Sequence, residues 1–270
     1  MLGRWFVASA IAGTMSVAAA SGSSWAGDGN GQPGEAPFAI SVGAFVMVSP
    51  KYEGSSDYDV MGFPFVAPAS LGSDGRVQVQ GPDDVRLRLF KHNGFEAGPL
   101  AGWRFGRDED DSDRLWGLGD VDGGLVIGGY MAYQIGFLKP FLSYHHQVTG
   151  DDGGVLRFGT EAKTIFGPGI EVIGTLGASY ADKSYMDSYF SIDAAQAASS
   201  VAGLQAYDAG AGVKDVYVGL TARFPIDERW TVRLSTRYAH LIGDAADSPV
   251  VENNSQFSAG LGLSYRLDLR

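Results

Sequence analysis

Residues 216–241 read VYVGLTARFPIDERWTVRLSTRYAHL, and the alternation in this stretch decides the fold. Val216, Val218, Leu220, Ala222 and Phe224 share one parity; Tyr217, Gly219, Thr221 and Arg223 share the other. Beyond the polar turn Pro225–Arg229, Trp230, Val232, Leu234, Thr236 and Tyr238 resume the apolar side, with Thr231, Arg233, Ser235 and Arg237 opposite. A period of two carried across a short turn is a β-hairpin. The apolar side has aromatics at both margins. The other side is small, polar and arginine-bearing, without the dense Lys/Glu cover of a water-facing surface. That combination is the pattern of transmembrane β-barrel strands.

The same alternation recurs along the chain. Strands are expected at 38–48, 60–69, 76–80, 85–90, 95–105, 121–135, 137–148, 155–166 and 170–180, then the two of the hairpin, and finally 255–267. In the second of these, Met61, Phe63, Phe65 and Ala67 are expected to face outward, and Pro64 and Pro68 weaken it because proline removes a ladder donor. Twelve strands result, an even number as single-chain bacterial barrels require. The number falls to ten if residues 76–90, folded around Gly81-Pro82-Asp83, do not form a hairpin in the wall. The fold class is therefore all-β, a transmembrane antiparallel up-and-down β-barrel. Tight turns at 70–75, 91–94, 136, 167–169 and 225–229 alternate with longer loops at 49–58, 106–119, 149–154, 181–215 and 242–254. Short turns mark the periplasmic side of such barrels, which places both termini in the periplasm. Within the longest loop, Ser191–Ser200 is alanine-rich and preceded by capping residues, and a short helix is expected there. A water-soluble barrel with an apolar interior shows the same alternation, but such barrels have about eight strands. Twelve would enclose a dry space too wide for side chains to fill.

Composition agrees. The 270 residues include 39 glycines and no cysteine, and carry a formal net charge of −11; mean hydropathy is −0.02. Without cysteine there is no lipoprotein anchor, disulfide framework or thiolate chemistry. An acidic chain lacks the basic footprint that nucleic acid demands. The first residues carry Arg4, the apolar run Trp5–Ala20 and the small-x-small triplet Ser24-Trp25-Ala26. These make residues 1–26 a cleaved Sec-type export signal, with Ala20 as the alternative cleavage point. Gly27–Pro37 is a Gly/Pro-rich periplasmic lead-in, and residues 38–270 form the barrel domain. Beyond the signal no segment approaches the ~20 apolar residues of a transmembrane helix.

Several loop stretches are not demanded by a barrel as such: Ser49–Ser55 (SPKYEGS), Tyr185–Phe190 (YMDSYF), Gly203–Val216 (GLQAYDAGAGVKDV) and Arg237–Val250 (RYAHLIGDAADSPV). They resemble the MipA/OmpV family of outer-membrane proteins, also called the MltA-interacting protein family. Ser191 stands where that pattern has glycine, and the chain ends Tyr265-Arg266-Leu267-Asp268-Leu269-Arg270 rather than on an aromatic. The resemblance implies an outer-membrane protein of a Gram-negative bacterium. It also implies a scaffolding role that joins a lytic transglycosylase to a penicillin-binding protein at the peptidoglycan, or a surface adhesin. It brings no catalytic residues and no cofactor.

Inward parity along the strands collects Arg76, Arg86, Arg88, Arg104, Arg157, Lys163, Arg223, Arg233, Arg237 and Arg266 against Glu96, Asp122, Glu161 and Glu171. Arginine rings favour anions, so one reading is a narrow anion-preferring pore for small solutes. The other is that the arginines pair with these acids and with loop carboxylates, since buried charges need partners. That reading is favoured, and Ala181–Asp215 is long enough to plug the bore. Trp103, Phe224, Trp230, Tyr238, Phe257 and Tyr265 are the expected aromatics at the lipid rim, where lipid and lipopolysaccharide would be met. The acidic run Asp108–Asp113 lacks the spacing of a calcium loop and reads as a solvated loop. His145 and His146 point to opposite faces, so they do not share a metal. An outer-membrane lipid hydrolase needs serine and histidine together at the rim. Near His146 and His240, Ser143 and Ser235 have inward parity, so a serine on a neighbouring strand would have to serve, and the lipid hydrolase stays a remote alternative. Gly260-Leu261-Gly262 lies inside a strand, not at the strand-to-helix turn of a nucleotide loop.

Overall fold

The computed structural model describes residues 38–68, 75–167 and 169–269. The expected export signal, the lead-in, most of the turn at 70–75 and Pro168 lie outside the described residues. The strands are β1 Phe38–Pro50, β2 Tyr58–Pro68, β3 Val77–Gly81, β4 Asp84–Leu87, β5 Phe90–His92, β6 Phe95–Arg104, β7 Gly124–Tyr133, β8 Leu138–Gln147, β9 Gly153–Phe166, β10 Ile170–Ala181, β11 Gly212–Pro225, β12 Trp230–Leu241 and β13 Ser255–Leu269. They form one antiparallel sheet in the order β2-β1-β13-β12-β11-β10-β9-β8-β7-β6-β4-β3, with β5 also on β6. β4 and β5 are two pieces of one position, so among the described residues the sheet has the twelve expected strands, and it curls until the first strand pairs with the last, Phe38 opposite Leu269.

The opening hairpin forms as its pattern dictates: β11 pairs β12 from Asp215 opposite Leu241 to Pro225 opposite Thr231. Val218, Leu220, Leu234 and Tyr238 stand on the exposed outer face while Tyr217 is buried inside. One strand is reversed relative to the expectation. On β2 it is Tyr58, Val60 and Val66 that are exposed, Val60 at 65%, whereas Met61, Phe63, Phe65 and Ala67 are half-buried on the inner side. Both parities of β2 are apolar, so bulk did not reveal the face. The register did, because Phe63 lies opposite the inward Phe45.

The short β3–β4 pair departs from a plain wall hairpin. β4 is joined to β6 through Val85 opposite Ala101 and Arg86 opposite Leu100, but the turn and β3 bend into the interior. The Asp83 carboxylate takes two bonds from Arg157 on β9, at 3.1 and 2.6 Å, and the Asp83 carbonyl lies 3.1 Å from His145 Nδ1 on β8. The Val79 carbonyl accepts from Arg233 on β12 at 2.9 Å. Strands this far apart around the wall meet one hairpin only if it crosses the lumen. Among the described residues no ladder joins β2 to β3, so β2 is an edge strand. Proline is tolerated on sheet edges, which explains how Pro64 and Pro68 coexist with a regular strand.

Candidate functional site: a capped, ion-paired interior

Among the described residues three short α-helices sit in the long loops: α1 Lys183–Phe190, α2 Ala194–Ser199 and α3 Gly243–Asp247. The helix expected in Ser191–Ser200 is α2, where Asp193 and Gln196 form a reciprocal capping box. α1 and α3 had no amphipathic signature long enough to be read. α1 begins at Asp182, whose Oδ1 accepts from Tyr185 N at 2.9 Å while Oδ2 accepts from Gly154 N at 2.8 Å. One carboxylate thus caps the helix and fastens it to β9.

From there α1 lies across the loop end of the barrel. The Tyr185 hydroxyl donates to Glu53 in the first loop at 2.7 Å, and the Arg104 guanidinium at the end of β6 stacks on its ring at 4.9 Å. Lys214 on β11 lies 5.5 Å from the same ring and pairs with Glu53 and Asp215. At Gly153 on β9 an added Cβ would fall 2.7 Å from Tyr185 Cα. Four parts of the rim therefore converge on one residue at the loop end. Tyr189 stacks on Tyr185 at 4.5 Å, Arg107 donates to the Tyr189 carbonyl at 3.1 Å, and Ser248 closes onto the Phe190 carbonyl at 2.6 Å. Two apolar clusters fill the space beneath these bonds. One is built on Tyr185, Met186, Phe190 and Leu241; the other gathers Tyr52, Leu115, Leu118, Ile192 and Val250.

A second knot ties the loops to each other. Glu252 Oε1 accepts from the Tyr52 hydroxyl at 3.0 Å and from Ser112 at 2.6 Å; Oε2 accepts from Ser56 N at 3.1 Å and Ser56 Oγ at 2.5 Å. Burial pushes this carboxyl's pKa up, but the bonds from Ser112, Ser56 and Tyr52 outweigh it and bring it down to about 2. The Tyr52 phenol is held well above its ordinary value by burial and by the Glu252 charge. In the acidic loop, desolvation and the charges of Asp111, Asp120 and Asp110 raise Asp108, while Glu109 accepts from Gly117 N at 3.1 Å. These carboxylates fold their own loop.

Below the cap, the inward charges are largely paired. Arg86 holds Asp84 at 2.8 Å and stacks on Tyr130 at 5.0 Å. Arg88 reaches Glu96 at 3.6 Å, and Lys139 bridges Glu96 and Glu161 at 2.8 and 3.5 Å. Lys163 pairs with Glu171 at 2.6 Å, and Arg223 joins it at 3.6 Å. Arg237 reaches Asp215 at 3.6 Å and lies 3.8 Å over the Tyr217 ring. Arg104 instead donates to the Gly153 carbonyl at 3.2 Å. Asp122 departs from its expected inward place: it precedes β7 and is exposed. Arg76 likewise precedes β3 and is exposed, and Arg266, also exposed, pairs with Asp268 at 2.9 Å. Lys139 was legible by parity with Phe141 and Ser143. Asp84, at the start of β4, was legible by parity with Arg86; Asp83 and Glu53 were not, because turn and loop residues carry no parity.

Of the aromatics expected at the rim, Trp103, Trp230, Tyr238 and Phe257 are exposed on the outer face; Phe224 and Tyr265 are half-buried there, Tyr265 against Trp230 at 4.8 Å. Ser143 bonds His145 at 3.0 Å with Asp84 at 3.6 Å from the same ring, but the trio is buried in the lumen, away from the rim.

A curled antiparallel wall with an apolar exposed face, a charged interior and a capped end defines an outer-membrane β-barrel protein. The chain belongs to the MltA-interacting protein MipA family, whose family model matches residues 42–267. It is 24% identical over 167 residues to "Outer membrane protein OmpV" of Vibrio cholerae, covering 62% of this chain and 63% of that one. Over 158 residues it is 23% identical to "Outer membrane protein Omp26La" of Vibrio anguillarum, covering 58% and 60%. A segment of 92 residues is 36% identical to YiaT of Escherichia coli K12, covering 34% of this chain and 36% of that one. The chain thus matches about a third of the length of YiaT and about three fifths of the two Vibrio proteins. Among solved structures it is similar to the N-terminal β-barrel domain of Pseudomonas aeruginosa OprF, with a TM-score of 0.30 and 13% identity over 65% of this chain and 98% of that one.

Proposed function

We propose that this protein is a structural barrel of the outer membrane whose interior is closed to solute flow. In this reading its loops face outward, its tight turns and both termini face the periplasm, and it serves there as a scaffold for murein enzymes rather than as a catalyst. The observation that carries the closed reading is the convergence of Glu53, Arg104, Gly153 and Lys214 on Tyr185 across the loop end. The paired interior supports it too, since guanidinium groups already held by carboxylates offer little to a passing anion. The murein link is supported by the name of the family, MltA-interacting protein. It makes a lytic transglycosylase the partner class to look for, with a penicillin-binding protein as the second.

Two measurements test this. In planar bilayers the full chain is expected to give no stable conductance; anion-selective steps weakened by Arg233→Glu would establish the pore reading instead. From low-detergent membranes, the tagged chain is expected to retain a murein-cleaving activity on purified sacculi. Loss of that retention at every detergent level would remove the scaffold reading.

A further inference from the structure

The interior has two unlike halves. From β6 to β12 its inward positions carry the paired charges described above. On β1 and β2 they carry Phe45, Met47, Met61, Phe63 and Phe65. The Phe45 and Phe65 rings press on glycines of neighbouring strands: an added Cβ on Gly260 would fall 2.3 Å from Phe45 Cζ, and one on Gly43 2.7 Å from Phe65 Cζ. The apolar half borders the place where β2 and β3 are not laddered to each other. Phe63 of β2 stacks at 5.8 Å on Phe105, which follows β6.

Arg233 stands where the two halves meet. The Cβ of Gly262 would lie 2.9 Å from the Phe45 ring and 3.7 Å from Arg233 Cβ, so the two side chains leave the wall on either side of one glycine. Arg233 also lies directly opposite Arg223 in the ladder, an arrangement of like charges that is unfavourable by itself. The carboxylate of this region, Glu171, is engaged by Lys163 and Arg223. The hydrogen bond of Arg233 goes to a neutral carbonyl, that of Val79 on the in-turned β3. Arg233 thus faces a like charge across the ladder and holds only a neutral carbonyl, beside an aromatic wall.

We propose that this corner binds a single-chain amphipathic anion, one acyl chain with a carboxylate or phosphate head. The head sits on Arg233, and the chain runs along Phe45, Phe65 and Phe63 to the gap between β2 and β3, through which it exchanges with the surrounding lipid. A planar guanidinium donates two parallel bonds to a carboxylate or a phosphate, and a bound anion relieves the repulsion between Arg233 and Arg223. The acyl chain covers rings that water serves poorly. With the loop end stoppered by Tyr185, entry through the side does not require the cap to open.

The full chain in phosphatidylcholine nanodiscs is titrated with oleate carrying a 13C carboxyl, with 1-oleoyl-lysophosphatidylglycerol and with oleyl alcohol. Retention is read by native mass spectrometry and the carboxyl resonance by NMR. One equivalent of at least one anion is expected, with oleyl alcohol bound about tenfold or more weakly. Whichever anion binds more tightly identifies the source as free acid or lysolipid. Arg233→Gln is expected to weaken binding about tenfold and Arg233→Lys to restore part of it; Phe45→Ala should weaken oleate while leaving octanoate unchanged. Folding of each variant is checked by heat-modifiable migration, and if Arg233→Gln does not fold, the Lys and Phe45 variants decide. Equal binding of oleate and oleyl alcohol, equal binding by the folded variants and the parent, or retention no greater than in empty nanodiscs would overturn the proposal.

Discussion

The Tyr185 hydroxyl donates to the Glu53 carboxylate at 2.7 Å, joining two loops 132 residues apart in the chain. This contact spans the mouth, and the ring that carries it is only 6% exposed. Truncating a buried aromatic costs ~3–5 kcal/mol, so Tyr185→Ala should release α1 from the rim. The expected outcome is cleavage of residues 181–215 by added protease and the appearance of small conductance steps. Tyr185→Phe keeps the ring and should keep the mouth closed.

Gly153→Ala tests the same stopper from the wall. The new methyl would meet α1 backbone at 2.7–2.8 Å, and backbone cannot swing aside as a side chain can. The variant should lose the cap while retaining the wall, seen as protease-sensitive loops on a barrel that still migrates as folded. Gly174→Ala, which has nothing within 4 Å, is the matching control.

Acidification should loosen the loop knot before it harms the wall. The Glu252 carboxyl lies near 2 in the folded protein against an ordinary 4.5. Its contribution is therefore complete above about 4.5 and is lost as pH falls toward about 2. Hydrogen-exchange protection of residues 52–56 and 249–254, taken relative to the intrinsic rate at each pH, should fall across that window, and Glu252→Gln should make that protection independent of pH there. An unchanged profile in the Gln variant would assign the effect elsewhere.

Asp83 is the pin of the in-turned hairpin. Removing one member of a buried ion pair costs ~3–5 kcal/mol, so Asp83→Asn should lower the temperature at which heat-modifiable migration is lost. Arg157→Met combined with Asp83→Leu should recover part of the loss, because no unpaired charge then remains. If the double variant is no better than the single, the hairpin is held by its backbone contacts instead.

The outer aromatics give a direct reading of the lipid face. Trp103 and Trp230 are exposed on the outer side of β6 and β12, and brominated phospholipid is expected to quench their fluorescence, measured in variants each retaining a single tryptophan. Trp116 lies in the acidic loop and should respond to aqueous iodide instead.

Much of the architecture was legible because it is local. A strand's two faces are written in alternate residues, so Leu220 and Leu234 could be placed outside, and Arg223 and Arg233 inside, from parity alone. The strand number and most of the inward charges followed the same way, while Arg76, Asp122 and Arg266 did not. β2 defeated the method because Val60 and Phe63 are both apolar and parity then has nothing to distinguish.

What the chain by itself determined is thus the alternating wall, its outer-membrane class and the need for its interior arginines to find partners. Only the tertiary structure decided which partners those are. Asp83 meets Arg157 because a hairpin bends into the lumen, Glu53 meets Lys214 because two loops close over one mouth, and β2 is left as an edge because β3 turned inward. Those choices depend on contacts between residues far apart in sequence, and period-two patterning carries no information about distances across a barrel.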